Sequence, residues 1–225
     1  MADPVRRRVR WAQACRIVPT RYPAVTLFDR VADAADFDAL YALEAMTNER
    51  LRDEVGQVER VPAAQRRFGP GSGPIMAAFT HVNLEGSRFA DGSYGVFYAA
   101  RERATAIAET RHHHARFLRM TAQPAMHLPM RLYHVAIDAR LHDLRPRQPE
   151  FEACHAPDSY AASQGLARQL HAGGSDGVVY RSVRHAGGQC VGLFNPQGAR
   201  ACLHAAYLLY AWDGQRLADV YEKLP

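Results

Sequence analysis

The spacing of apolar residues in the first third of the chain predicts a helix, a loop and a strand. The helix is predicted over Asp36–Val55, with Gly56 as its stop. Its apolar residues fall on one side: Phe37, Leu40, Tyr41 and Leu43. Gly56–Pro74 is rich in glycine and proline and is predicted to be a loop. Ile75–Thr80 is then predicted to form a short strand.

Two further helices are predicted in the middle of the chain. Glu102–Met120 places its alanines and larger aliphatic residues on one face. Ser159–His171 follows Asp158, a good N-cap residue, and ends at Gly173–Gly174.

The other apolar segments predict strands, at Tyr94–Ala100, Met130–Asp138, Gly177–Val183 and Gln189–Phe194. Asp213–Gly214 signals a hairpin between Ala205–Trp212 and Arg216–Tyr221. Because the strands are not strictly separated by helices, the pattern favours an α+β fold over a doubly wound parallel sheet.

Composition is consistent with one globular domain. The 225 residues are 48% hydrophobic, enough for a core, and 23% charged. The longest apolar runs, such as Ala205–Ala211, are far shorter than the ~20 residues of a membrane helix. Arg16 and Pro19 interrupt any hydrophobic signal core after the basic residues at Arg6–Arg8. We therefore expect a cytoplasmic protein without a membrane span.

The basic residues are almost all arginines. Lys223 is the only lysine among 28 lysines and arginines, which leaves 27 arginines. Arginine suits phosphate groups and nucleic acid, but these arginines are scattered and the net charge is only +5. Nucleotide-level bias of a GC-rich genome explains the excess better than a nucleic-acid-binding surface does.

The cysteines and histidines do not form a metal motif. The four cysteines are widely spaced and include no C-x-x-C pair, so buried reduced thiols are expected rather than a zinc ribbon or a disulfide scaffold. His112–His114 are consecutive, and consecutive helical residues point about 100° apart. These three side chains therefore cannot converge on one ion, and we expect no metal.

Familiar catalytic signatures are missing, but a spaced set of polar residues lies on or beside the predicted elements. The sequence has no G-x-S-x-G elbow, no Walker A loop, no G-x-G-x-x-G opening a helix after a strand and no H-E-x-x-H. These polar residues are Arg16, Arg88, Tyr98, Glu109, Ser163 and Ser182. Eleven residues separate Tyr98 from Glu109, so a strand ending near the tyrosine can turn straight into the helix that carries the glutamate.

This pattern resembles the RES domain. The resemblance runs from about Arg16 to Pro196 and is most specific in SRFADGSYGVFYAARERATAIAET at Ser87–Thr110. SYAASQGLAR at Ser159–Arg168 and the V-V-Y-x-S segment ending at Ser182 add to it. The RES domain is the toxin half of RES–Xre toxin–antitoxin modules.

The resemblance implies a compact single domain around a split or mixed β-sheet, similar to the ADP-ribosyltransferase toxins, with an NAD+ cleft. It places the RES domain at 16–196, after an N-terminal extension at 1–15 and before a C-terminal β-hairpin at 197–225 that packs on the same domain. Family members degrade NAD+ by phosphorolysis or hydrolysis, and at least one kind transfers ADP-ribose to a protein. NAD+ would be the substrate rather than a cofactor, with phosphate as a candidate co-substrate.

The resemblance also implies roles for individual residues. Glu109 and Tyr98 become the catalytic acid residue and the cleft tyrosine, and Arg16 and Arg88 become NAD+-binding arginines. The family serine is either Ser163 or Ser182, with Ser163 slightly preferred for its distance after Glu109.

These residue types fit the chemistry of NAD+ cleavage. A carboxylate stabilises the oxocarbenium-like ribose, arginine pairs bidentately with a pyrophosphate, and tyrosine offers a stacking face. An Xre-type helix-turn-helix antitoxin is the expected partner, and nucleic acid would be bound only through that complex. Two other functions stay open: a mono-ADP-ribosyltransferase that modifies a protein, and a non-enzymatic arginine-rich module that binds nucleic acid or protein.

Overall fold

A computed structural model describes residues 3–22, 25–45 and 55–222. The strands are β1 (Arg6–Pro19), β2 (Phe97–Ala100), β3 (Met126–Asp143), β4 (Gly177–Arg181), β5 (Gln189–Leu193), β6 (Ala199–Trp212) and β7 (Leu217–Glu222). The helices are α1 (Leu27–Arg30), α2 (Ala34–Ala45), α3 (Gly73–Thr80), α4 (Arg103–Met120), α5 (Pro149–Glu152) and α6 (Ala161–Ala172). The part of the predicted Asp36–Val55 helix at 46–54 lies outside the described residues.

The described strands form one mixed, seven-stranded sheet in two parts. β1, β3, β6 and β7 form an antiparallel part, and β2, β5 and β4 form a second antiparallel part. A short parallel contact between β3 and β4 and a single pairing between β1 and β2 join them. The predicted α+β class and mixed sheet are confirmed.

β3 separates two apolar clusters because its successive side chains point to opposite faces. Its first half contributes Met130 and Leu132 to one cluster, which also contains buried residues of α4 and α6. Its second half contributes Val135 and Ile137 to the other cluster, which α1, α2 and α3 cover. The strand therefore supports the core on one face and then on the other.

The strand predicted at Ile75–Thr80 is wrong, because these residues belong to the helix α3. Pro74 is compatible with a first helical turn, and Ile75 and Phe79, four residues apart, are both buried. The helix start packs so closely that a Cβ on Gly73 would lie 1.6 Å from the Val25 carbonyl oxygen. The apolar run is too short to show whether its period is that of a helix or of a strand. Tertiary packing therefore decides that it forms a helix.

The helix boundaries around α6 confirm one prediction and correct another. The helix ends at Gly173 as expected, but it starts at Ala161 and no side chain caps it. Asp158 is therefore not its N-cap. The strand predicted at Met130–Asp138 is longer and extends over the whole of β3.

The two ends of the described chain are built into the same sheet. β1 runs continuously from Arg6 past Arg16, so the predicted boundary between residues 15 and 16 lies inside a strand. The predicted C-terminal hairpin is formed by β6 and β7, and β6 pairs along much of β3. The division into 1–15, 16–196 and 197–225 stays a prediction.

All four cysteines are buried and free, as expected. Across the described ranges, no helix is both long and apolar enough to cross a membrane.

Candidate active site

Glu109 and Ser182 form the centre of the candidate site. Glu109 lies on α4, and Ser182 directly follows β4. The Ser182 hydroxyl donates to Glu109 Oε1 at 2.7 Å and accepts the backbone N–H groups of Arg184 at 3.1 Å and His185 at 2.9 Å. Because two amides occupy the hydroxyl lone pairs, its single proton is directed to the carboxylate.

Glu109 belongs to a polar stripe on α4 that faces the segment after β4. The hydroxyl of Thr105, one turn earlier, lies 2.9 Å from His185 Nδ1. His112, one turn later, has its pKa lowered to about 4, mainly by burial and also by the nearby Arg184 guanidinium. The stripe therefore places a carboxylate between a hydroxyl and an imidazole that is neutral at pH 7.

Two neighbours of Glu109 attach α4 to the last strands of the sheet. The Thr110 hydroxyl lies 2.8 Å from the Tyr210 hydroxyl on β6. Arg111 Nη2 donates to the backbone carbonyls of Leu217 and, at 3.0 Å, Ala218 on β7. The position of the carboxylate thus depends on the C-terminal hairpin.

Tyr98 lies on β2 with its hydroxyl fixed in place. The hydroxyl is 2.8 Å from Ser87 Oγ and accepts the Phe89 backbone N–H at 2.9 Å. Burial raises the pKa of Tyr98 to about 12, so the phenol is neutral under ordinary conditions. Its ring packs against the same apolar cluster as α4.

Arg88 is buried and braced by neighbouring backbone. Its Nη1 donates to the carbonyls of Cys154 at 3.0 Å and Ala156 at 2.9 Å. Its guanidinium carbon lies 4.7 Å from the centroid of the Tyr160 ring. Its positive charge acts to lower the pKa of Tyr98, although burial outweighs it there.

Arg16 lies on the other side of β2 from the Tyr98 ring. Its guanidinium is 4.5 Å from the centroid of Phe97, whose side chain points to the opposite face from that of Tyr98. Its Nη1 donates to the Tyr98 carbonyl at 2.9 Å, while its Nε is buried without a partner among the described residues. Burial lowers the pKa of Arg16. The structure therefore links Arg16 to the backbone of Tyr98 but not to Glu109.

Of the two candidate serines, the structure brings Ser182 to the carboxylate. Ser163 is fully buried in α6, and its hydroxyl donates to the Tyr160 carbonyl at 3.1 Å. The next residue, Gln164, donates through Nε2 to the carbonyls of Ser87 at 2.9 Å and Ala90 at 3.1 Å. α6 thus supports the turn that carries Arg88.

Tyr180 is a site residue that the sequence reasoning missed. It is buried on β4 two residues before Ser182, with its ring 4.8 Å from Phe89. Burial raises its pKa, with smaller contributions from the nearby charge of Glu109. The signal that could have found it is its position on the predicted strand Gly177–Val183, two residues before the candidate Ser182.

The part of the chain that the structure describes contains no group of three or more histidine, cysteine or acidic side chains arranged to hold a metal ion. His112 and His113 lie on the helix with ring centroids 5.6 Å apart, and their planes are nearly perpendicular.

A family model for the RES domain matches residues 58–213, about two thirds of the chain. The chain belongs to the RES-domain family. The resemblance seen in Ser87–Thr110 is thereby confirmed. The matched region of this RES domain includes both Glu109 and Ser182, and it begins after Arg16.

Two other comparisons find similar proteins over most of this RES-domain chain. The uncharacterized protein y4oC of Sinorhizobium fredii (strain NBRC 101917 / NGR234) is 26% identical over 213 residues, covering 92% of this chain and 85% of that protein. The crystal structure of the MbcT–MbcA toxin–antitoxin complex of M. tuberculosis contains a chain that is 14% identical. The match covers 96% of this chain and 86% of that chain, with a TM-score of 0.43.

Proposed function

We propose that this RES-domain protein is the toxin of a toxin–antitoxin module and that it cleaves the nicotinamide–ribose bond of NAD+. The observation that carries the proposal is the Glu109–Ser182 hydrogen bond of 2.7 Å in a partly buried site. Membership of the RES-domain family supports the choice of substrate.

The chemistry requires a fixed negative charge next to the ribose. As the C–N bond breaks, its electron pair leaves with neutral nicotinamide and the ribose becomes oxocarbenium-like. A carboxylate that is already oriented stabilises this developing positive charge without reorganising. Ser182 supplies that orientation for Glu109, and a water or phosphate oxygen then bonds to the ribose carbon.

Tyr98 and Arg88 would form the wall next to Glu109. The phenol of Tyr98 is neutral and its hydroxyl is fixed, so its ring offers a rigid surface for stacking. Arg88 would provide a permanent positive charge for a phosphate bound at this wall. The NAD+-binding roles of Arg16 and Arg88 stay predictions, and Arg16 would act from the other face of β2.

The direct test is incubation of the purified full chain with NAD+, with and without phosphate. We expect nicotinamide release in both cases and ADP-ribose-1″-phosphate only with phosphate. NAD+ that stays intact in the absence of an antitoxin would refute the proposal. ADP-ribose attached to protein instead would point to the transferase alternative.

Glu109→Gln is the matching variant, because it keeps the shape of the side chain and removes its charge. We expect it to reduce nicotinamide release by about 100-fold or more with an unchanged circular dichroism spectrum. Glu59→Gln is the control, because Glu59 is exposed and distant from Glu109 in the sequence. This variant is expected to retain wild-type activity.

The partner and the cellular effect are tested separately. Expression of the chain is expected to stop growth and lower the NAD+ pool, and co-expression of an Xre-type helix-turn-helix antitoxin is expected to restore both. Growth arrest by the Glu109→Gln variant at equal expression would separate toxicity from NAD+ cleavage.

A further inference from the structure

A pocket of about 510 Å³ lies beside the Glu109–Ser182 pair. The loop between β4 and β5 forms one wall, and the lining includes the side chains of Arg145, Arg147, Glu152, His155, Arg181 and Ser182. We call it the Arg181 pocket. Ser182 both lines the pocket and donates to Glu109, so a ligand here would be one side chain away from the carboxylate.

Arg181 has unused donors in this pocket. Among the described residues, Arg181 makes its hydrogen bond through Nη2, which donates to Glu152 Oε1 at 2.8 Å. The same nitrogen lies 3.5 Å from His155 Nδ1. Its Nε is buried and has no partner among those residues. A buried N–H without an acceptor costs about 1–3 kcal/mol, so a ligand oxygen that accepts it would bind favourably.

The other two arginines differ in how they are held. Arg145 is fixed by two hydrogen bonds of 2.8 Å to the Asp143 carboxylate and one of 2.9 Å to Gln189 Oε1. Arg147 is exposed and forms no hydrogen bond or ion pair with the described part of the chain. Arg145 thus provides a rigid wall, whereas Arg147 is free to close over an anion.

His155 adds an acceptor to these donors. Its Nδ1 lies 3.2 Å from the Phe151 carbonyl oxygen, which can only accept, so Nδ1 carries the hydrogen and the longer approach of Arg181 is not a hydrogen bond. Burial lowers the pKa of His155, which keeps the ring neutral at pH 7 and leaves Nε2 as an acceptor. That Nε2 is buried without a partner in the described structure. A ligand with several acceptor oxygens and one O–H group, as in hydrogen phosphate, would match this set.

We propose that the Arg181 pocket binds a phosphate group next to the Glu109–Ser182 pair. Planar guanidinium donors are well suited to phosphate oxygens. Gly187 lines the pocket in the left-handed backbone conformation that favours glycine, with φ at +79°, and the space beside it is open because a Cβ there would meet no atom within 4 Å. The phosphate has two sources. Free phosphate that accepts the ADP-ribose can also donate an O–H to His155 Nε2, whereas the pyrophosphate of NAD+ has no O–H group and would use only the guanidinium donors.

The role in the reaction rests on the proposed function. With free phosphate, one of its oxygens forms the bond to the ribose carbon while the C–N bond breaks. The C–N electron pair leaves with neutral nicotinamide, and the product is ADP-ribose-1″-phosphate. With the pyrophosphate, the pocket would instead hold the substrate during attack by water or phosphate.

The first test is direct binding of inorganic phosphate to the full chain, measured by isothermal titration calorimetry. We expect saturable binding that weakens at least 10-fold in Arg181→Gln and in Arg147→Gln. Arg140→Gln, at an exposed arginine on β3, is the matched control. Arg147 is also exposed, so its variant does not depend on a buried contact to fold. Absence of saturable binding, or equal affinity in the three variants, would overturn the proposal.

The second test identifies the source of the phosphate, using the Glu109→Gln chain so that NAD+ is not consumed. If NAD+ displaces phosphate and nicotinamide riboside does not, the pocket holds the pyrophosphate. If phosphate affinity is unchanged by saturating NAD+, the pocket holds the free acceptor. Either result supports a phosphate site.

The two proposals fail in different ways. Phosphate binding that depends on Arg181, in a wild-type chain that leaves NAD+ intact, would keep the site and reject the proposed function. If the chain cleaves NAD+ but its phosphate affinity is unchanged in the Arg147 and Arg181 variants, the proposed function is supported and the proposed phosphate site is rejected.

Discussion

The hydroxyl of Ser182 is held by three groups at once, and this fixes its orientation in the site. Two amide donors and one carboxylate acceptor use all of its hydrogen-bonding capacity. The carboxylate of Glu109 is thereby fixed before any ligand arrives. A preoriented charge of this kind is what an oxocarbenium-like transition state needs.

Ser182→Ala removes the hydrogen bond to a charged acceptor, which is typically worth about 1.5–3 kcal/mol. We expect nicotinamide release to fall by about 10- to 100-fold, measured as initial rates with saturating NAD+. Ser163→Ala is the matched control, because that hydroxyl bonds only to the backbone carbonyl of Tyr160, just before α6. Equal losses in the two variants would contradict the assignment of Ser182 to the site.

The elements that carry the candidate residues were predictable where a short segment contains both. Tyr98 and Glu109 lie on the consecutive elements β2 and α4, as their spacing predicted. Ser163 and Ser182 could not be separated in this way, because the choice depends on how β4 packs against α4. The side of β2 on which Arg16 lies is equally a tertiary property, and no local pattern encodes it.

At the scale of elements, α4 and α6 approach the site from different directions and have different tasks. α4 carries the polar stripe of Thr105, Glu109 and His112. α6 contributes Gln164, which holds the turn with Arg88 through two backbone carbonyls. One helix therefore carries Glu109, and the other positions the turn with Arg88.

Gln164→Ala releases the turn at Ser87–Ala90 without touching the Glu109–Ser182 pair. We expect the KM for NAD+ to rise several-fold and stability to fall by about 1–2 kcal/mol in urea unfolding. Gln169→Ala, at an exposed position on the same helix, is expected to change neither quantity. A fall in kcat alone would show that the turn acts on the chemical step instead.

The histidines of α4 give the protein a defined sensitivity to acid. Burial is the main cause that lowers the pKa of His112 and of His114 to about 4, against about 6.5 in the unfolded chain. Between pH 6.5 and 4 the unfolded state binds these protons first, so the free energy of unfolding falls as the pH is lowered. Urea unfolding from about pH 7 to about pH 4 measures this slope. The double variant His112→Gln, His114→Gln is expected to reduce it, and an unchanged slope would contradict the burial of these rings.

Helices were predicted correctly where the apolar period extended over several turns or where a clear stop signal marked the end. α4 and the end of α6 at Gly173 match their predictions closely. Ile75–Thr80 did not, because a six-residue apolar run fits a strand or a buried helix equally well. The packing of Gly73 against Val25, which decides the case, brings together segments far apart in the sequence.

At the scale of the whole molecule, the thiols report on the integrity of both apolar clusters. Cys202 belongs to one cluster, and Cys15, Cys154 and Cys190 belong to the other. Burial raises the pKa of each of them, that of Cys202 to about 12. Neither cluster has an oxidised crosslink.

We expect the native chain to react slowly with Ellman's reagent at about pH 8, because the thiols are both inaccessible and protonated. In urea all four are expected to react within the mixing time. A rapidly reacting thiol in the folded protein would show that one of the two clusters opens.

The long strand β3 pairs with β1, which precedes it in the chain, and with β6, which follows it, so the order of synthesis determines when the sheet can form. β1 leaves the ribosome before β3, but β6 and β7 leave after it, and α4 is attached to both of these later strands through Thr110 and Arg111. Contacts between such distant segments form only after most of the chain is available. A nascent chain that has not yet reached β6 and β7 therefore carries Glu109 without the framework that holds it in place, and the candidate site is completed only after these strands have been made.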